Sequence, residues 1–176
     1  MYRTERLVLR GWDDDDVGPF AAMCADEAVM RFFPSTMTFE ESAQFVKREQ
    51  VRMSTNDFGL WVLDIDGQFG GYVGLAQVSF QTTFTPCIEI GWRLPQWAWG
   101  RGYASEAARE ALRIGFAEHG FDTIYSFTTA MNAPSEGVMK RIGMERRVEL
   151  DFDHPNTPNW EGRRHVVYSI DRQVRG

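Results

Sequence analysis

The run Trp99-Gly100-Arg101-Gly102-Tyr103-Ala104, set between a strand pattern and an alanine-rich helix pattern, constrains this chain more than any other feature. Two glycines permit backbone conformations closed to other residues and let the main chain approach a ligand closely. The helix predicted over about 102–119 opens with unpaired N–H groups and the positive end of its dipole, a ready place for phosphate. Ala104, Ala107, Ala108, Ala111, Leu112 and Gly115 share its buried face, while Glu106, Arg109, Glu110 and Arg113 share the wet one. Small residues on the buried face let the helix pack close to a sheet.

The flanking segments read as a mixed order of strands and helices. Residues 5–12 (ERLVLRGW) are β-rich, and the acids Asp13 to Asp16 mark a helix start, where carboxylates meet the positive dipole end. Met30 to Pro34 is a loop carrying Phe32 and Phe33. Thr38 and Glu41 form a capping box, and Phe39, Ala43, Val46 and Met53 follow at helical spacing, predicting a helix over about 38–54. Strand patterns cover Phe58–Asp64, Gly71–Phe80 and Cys87–Leu94, and Asp66-Gly67 marks the turn of an antiparallel meander. Asp122–Thr129 is a further strand. Asn132 then caps a short helix with Pro134 in its first turn and Gly143 just past its end. Two late strands, about 145–153 and 163–171, flank the loop HPNTPNWEG. With no linker, repeat or low-complexity tract, residues 1–176 form one domain, mixed α/β rather than a repeating βαβ series.

Composition narrows the function classes. A chain of 176 residues with 43% hydrophobic residues can fold without a disulfide or metal. Cys24 and Cys87 lie far apart without a C-x-x-C partner and read as reduced, buried thiols; three scattered histidines propose no metal cluster. The net charge of −6 argues against non-specific nucleic-acid binding and is compatible with a cationic substrate. The N-terminus is charged from residue 3 and lacks the apolar run of a signal peptide. No apolar stretch approaches the roughly 20 residues of a membrane span, so the expected location is the cytoplasm, with no membrane partner.

The phosphate ligand can be narrowed by pattern. A P-loop requires Gly-Lys followed by Ser or Thr, and the chain has no Gly-Lys pair. A dinucleotide fingerprint wants a third glycine where Ser105 stands. Asp122 sits at the distance of a ribose-binding acid, but Pro95 to Trp99 separate the glycines from the strand end, and the upstream meander is the wrong context.

Three segments carry a resemblance that spans nearly the whole chain: TERLVLR near the N-terminus, EIGWRLPQWAWGRGYASEA over 89–107, and TAMNAPSEGVMKRIGM over 129–144. They resemble the GCN5-related N-acetyltransferase (GNAT) superfamily, in particular its branch similar to ribosomal-protein N-terminal acetyltransferases. Asn132, Ser135, Lys140 and Gly143 stand in that branch's pattern. One departure occurs: the residue three before the first glycine, usually Gln or Arg, is Trp97, with Gln96 one further back. The main-chain cradle does not depend on that side chain.

The resemblance implies an α/β (α+β) fold with a mixed central sheet of about seven strands flanked by about four helices. It implies acetyl-CoA as co-substrate, and no metal. The backbone of Ile90, Gly91, Trp92, Arg93 and Leu94 is then expected to pair with the pantetheine amides. The loop from Trp99 through Gly100, Arg101, Gly102, Tyr103 and Ala104 is expected to hold the pyrophosphate. Asn132 is expected to bond the pantetheine arm, with Ser135 near the thioester sulfur.

Acetyl transfer to an amine needs a neutral amine, donors for the developing oxyanion and a proton for the departing thiolate. Glu89 is the candidate base, an acid between apolar neighbours whose pKa desolvation would raise. Ser135 is the candidate for protonating the sulfur, and no cysteine nucleophile is required. Phe32, Phe33, Trp61, Trp97 and Trp160 are candidate substrate-pocket residues, and His154 is a candidate second base. The chain thus reads as an acetyl-CoA-dependent N-acetyltransferase acting on a primary amine, either a protein N-terminus or a small molecule, by direct attack in a ternary complex. The alternative is a non-catalytic acyl-CoA-binding regulatory module of the same fold, to which Glu89 and Ser135 would be dispensable. Either is expected to be a monomer or homodimer.

Overall fold

In the computed structural model, residues 1–173 are described, and their strands form one sheet. Strands β1 (Tyr2–Arg3) and β2 (Val8–Arg10) lead into helices α1 (Val17–Ala25), α2 (Glu27–Met30) and α3 (Phe39–Asn56). The meander β3 (Leu60–Ile65), β4 (Gln68–Gln77) and β5 (Ile88–Arg93) follows, then α4 (Tyr103–Ala117), β6 (Thr123–Thr129) and α5 (Ala133–Arg141). Short strands β7 (Glu145–Arg146) and β8 (Phe152–Asp153) precede the long β9 (Arg164–Asp171). The sheet order is β1-β2-β3-β4-β5-β6-β9-β7, with β8 also on β9; β5–β6 is the parallel pair and the other pairings are antiparallel.

Local chemistry accounts for most boundaries. Asp66 and Gly67 both adopt positive φ, 54° and 81°, the primed turn whose twist suits a hairpin. The Thr38–Glu41 capping box is present, with each side chain satisfying the other's backbone N–H. The acidic run also starts a helix as expected: Asp13 caps a 3-10 turn through a reciprocal pairing with Asp16. Asp16 is buried there against Arg10, with a guanidinium–carboxylate distance of 2.7 Å.

The strand expected over 5–12 is shortened to β2, and the one expected over 145–153 is broken. Between β1 and β2 the chain turns, with Leu7 N–H donating to Thr4 Oγ1 at 3.1 Å. The segment predicted over 145–153 splits into β7, a 3-10 turn at Val148–Leu150, and β8. There the Asp151 carboxylate accepts the Val167 N–H at 3.2 Å, replacing a main-chain ladder bond. The added β1, the split of 145–153 and the short helix α2 explain why nine strands and five α-helices are found among the described residues where fewer were expected.

The sheet buries apolar surface on both faces. Leu63, Leu75, Ile90 and Ile124 pack with Ala107, Ala108, Ala111 and Ile114 of α4 and with α5. A Cβ on Gly115 would fall 2.7 Å from Ile124 Cδ1, so the close approach of α4 depends on that glycine. On the other face, Val62 and Tyr72 pack with Trp12, Phe20, Met23 and Val46 of the α1–α3 layer.

Candidate active site

The sheet opens where β5 and β6 part. They pair only at Ile88↔Ile124 and Glu89↔Tyr125, although β6 continues to Thr129. Beyond that point the buried Ser126 hydroxyl donates to the Ile90 carbonyl at 2.9 Å. A strand residue points its N–H and C=O to the same side, and the side alternates along the chain. Trp92, in phase with Ile90, therefore presents both groups to the widening gap. The Ile90 carbonyl is already occupied, so the expected pairing edge is shorter than Ile90–Leu94. Ile90's own side chain is fully buried in the core.

One end of the gap is the glycine loop. Gly100 and Gly102 both have positive φ, 71° and 82°, and Gly102 is the N-cap of α4 with no side-chain cap. The first N–H groups of α4 are thus left for a ligand. Arg6 braces this turn, donating to the Arg101 carbonyl at 3.0 Å and pairing with Glu106 at 2.6 Å. Arg101 points away, its Nε donating to the Trp97 carbonyl at 3.1 Å. Gln96 donates to Asp26 at 2.6 Å and so supplies nothing to the cleft, leaving the main chain as the cradle. Arg141 lies beside the first turn of α4, with its Nε 3.3 Å from Ser105 Oγ, a cation that sequence reading missed.

The gap and loop belong to one cleft of about 880 Å³, large enough for a coenzyme and a second substrate. Asn132 and Ser135 stand on its wall. Asn132 donates to Thr128 Oγ1 at 2.9 Å and to Ser135 Oγ at 3.0 Å, and its carbonyl accepts the Ser135 N–H at 3.2 Å. Both amide protons thus have partners inside the protein, while the side-chain carbonyl keeps a second lone pair. The Ser135 hydroxyl accepts one bond and keeps its own proton to give.

Glu89 faces the cleft from β5, with Oε1 about 3.9 Å from where a Cβ on Gly91 would sit. No cation pairs with it among the described residues, and burial pushes its pKa up from 4.5 to about 8. Cys87, next but one on the strand, is pushed up to about 12 by burial and then by the Glu89 charge. Both cysteines are free, and burial raises the Cys24 thiol as well, so neither is poised as a nucleophile at neutral pH.

Of the aromatic candidates, Phe32, Phe33 and Trp160 line the cleft. Trp61 does not: it is 3% exposed, packed in the core with Tyr2 against its ring. Trp97 also lies elsewhere, on a separate depression beside Asp13 and Asp26. Alternation on the buried β3 and the outward turn of the 3-10 segment Gln96–Ala98 decide these two positions.

Phe80, Phe127 and His165, absent from the sequence candidates, complete an aromatic wall with His154 and Trp160. The His154 and His165 rings lie 5.0 Å apart, and burial lowers both pKa values, so both are neutral at pH 7. The signal for His165 is pairing: it stands opposite Thr129 across the β6–β9 ladder. No cluster of three or more metal-ligating side chains is present among the described residues.

The chain is similar to known proteins in sequence and in fold. Residues 6–145 match the model of the acetyltransferase (GNAT) domain. The chain is 38% identical over 130 residues to FsC-acetyl coenzyme A-N(2)-transacetylase of Aspergillus fumigatus, covering 68% of this chain and 53% of that protein. It thus spans about half the length of that relative. A GNAT-family acetyltransferase from Bacillus anthracis superimposes with a TM-score of 0.81 at 25% identity, over 98% of both chains. A ribosomal L7/L12 alpha-N-protein acetyltransferase in complex with coenzyme A shares the fold at a TM-score of 0.75 and 16% identity, over 96% of this chain and 95% of that one.

Proposed function

The chain belongs to the acetyltransferase (GNAT) domain family, and on that premise we propose that it is an N-acetyltransferase that acetylates a primary amine by direct attack within a ternary complex. Acetyl-CoA supplies the activated acyl group. The observation that carries the reading is the splay of β5 from β6, with an uncapped helix N-terminus at one end and the unpaired Glu89 carboxyl on its wall.

The residues divide the work as follows. The N–H groups from Gly100 to Ala104 hold the diphosphate, with Arg141 adding positive charge. Trp92 pairs with the pantetheine arm in the manner of an added strand. Glu89 takes a proton from the acceptor ammonium, directly or through water, and so leaves the neutral amine to attack; a pKa near 8 suits exchange with an α-amine. Ser135, fixed by Asn132, gives its proton to the departing thiolate and regains one from the nitrogen that has taken the acetyl group. Phe32, Phe33, Trp160 and the Phe80–Phe127 wall enclose the acceptor, a peptide N-terminus or a small amine.

Thiol release from acetyl-CoA, followed over a panel of amines that includes short peptides with free N-termini, tests the reading. Amine-dependent release with matching N-acetyl product is expected. Tight acetyl-CoA binding with no stimulation by any amine would instead favour the regulatory module.

A further inference from the structure

Arg93, the last residue of β5, lines the cleft without a counter-ion among the described residues. Its guanidinium lies 4.1 Å from the Phe33 ring centroid and 5.6 Å from that of Tyr72. One terminal nitrogen donates to Cys24 Sγ at 3.2 Å and Met37 Sδ at 3.6 Å, both weak acceptors. The Nε is buried with no partner. Other half-buried arginines here, Arg10 and Arg146, sit on carboxylates at 2.7 and 2.5 Å. A guanidinium held among rings and sulfurs without an anion has lost water and gained little, which is costly unless a ligand completes the pair.

We propose that the Arg93 side chain anchors an anionic group, a carboxylate in the simplest case, carried by the acceptor amine. The idea rests on the amine-acetylating reading above. Strand alternation puts Glu89, Gly91 and Arg93 on one face, and Arg93 follows Glu89 by four residues, about 13 Å along the strand. Gly91, between them on that face, carries no side chain and has only Glu89 Oε1 near its Cβ position, at 3.9 Å, which leaves room for a small molecule between a base and a cation. The coenzyme's diphosphate is not the anion concerned. Arg93 shares the face of Tyr72, its cross-strand partner, under the α1–α3 layer, whereas α4 packs on the opposite face. The planar fork of arginine matches a carboxylate through two parallel bonds, and the Phe33 and Tyr72 rings keep water from competing.

The test compares phenylalanine with phenethylamine, and leucine with isopentylamine, as acceptors for wild type, Arg93→Gln and Arg93→Lys. Wild type should favour the carboxylate-bearing member by about tenfold or more in kcat/KM, chiefly through KM. Arg93→Gln should bring the ratio near one, and Arg93→Lys should fall between, since it keeps the charge and loses the fork. In parallel, phenylacetate but not phenylethanol should raise the melting temperature of the wild-type complex with coenzyme A. Arg93→Gln should abolish that shift; should this variant not fold, the wild-type contrast and Arg93→Lys decide. A wild-type ratio near one, or equal shifts with the two ligands, overturns the proposal. If the phenylacetate shift is present but no amine in any panel accepts acetyl, the acetyltransfer reading falls and the anion site stands.

Discussion

The Ser126 hydroxyl donates to the Ile90 carbonyl at 2.9 Å at the point where β5 and β6 cease to pair. One side chain thus satisfies a buried carbonyl that would otherwise require the neighbouring strand, and the gap beyond it stays open. Ser126→Ala leaves that carbonyl unsatisfied, at a cost of about 1–3 kcal/mol. In a domain of this size each kcal/mol lowers the melting temperature by roughly 2–4 °C. Thermal denaturation that matches wild type would show that the bond does not hold the opening.

Gly102 has φ 82°, and a Cβ there would lie 3.5 Å from an Arg6 nitrogen that braces the loop. Gly102→Val strains the backbone of a β-branched residue and shifts the N–H groups ahead of α4. Acetyl-CoA at 100 times its Kd stabilises wild type by roughly 2.7 kcal/mol, and this shift should vanish in the variant. Equal affinity measured by calorimetry would remove the loop from the binding site.

For Glu89 the sign of the pH effect follows from its raised pKa. The folded protein holds this proton more tightly than the unfolded chain. The associated stability is therefore complete below about 4.5 and lost as pH rises through about 8. Glu89→Gln should flatten that decline in chemical denaturation of the ligand-free protein. It should also lower kcat/KM by about 10²–10⁴-fold and leave only the amine's own titration in the pH–rate profile. A profile unchanged from wild type would assign the base elsewhere.

Asn132 and Ser135 share a prediction for rate and differ in the one for stability. Asn132→Ala removes the cap of α5, costs about 1 kcal/mol and also lowers kcat by freeing the Ser135 hydroxyl. Ser135→Ala leaves the cap and the Asn132–Thr128 bond in place, so kcat should fall with little change in melting temperature. Equal losses of stability in both variants would reduce Ser135 to a structural residue.

Much of the site was legible because its signals are local. The glycine pair, the uncapped start of α4, the Asn132 cap and the outward phase of Glu89 each follow from residues within a turn or two. Trp61 and Trp97 were misplaced because an aromatic ring looks the same in a core, on a rim or in a pocket until its neighbours are known. Arg93 was expected to contribute only backbone; the Phe33 ring and the Cys24 sulfur around it come from other elements.

Taken alone, the sequence determined most of the elements, their order and the glycine pair ahead of α4, because capping, turn chemistry and helical period act over a few residues. Tertiary structure alone decided where β5 and β6 separate and that β9 lies between β6 and β7, carrying His165 to the cleft. It also decided that Glu89 stands without a cation in a desolvated wall. These outcomes depend on pairing and water exclusion between segments distant in the chain, energies that no local pattern records.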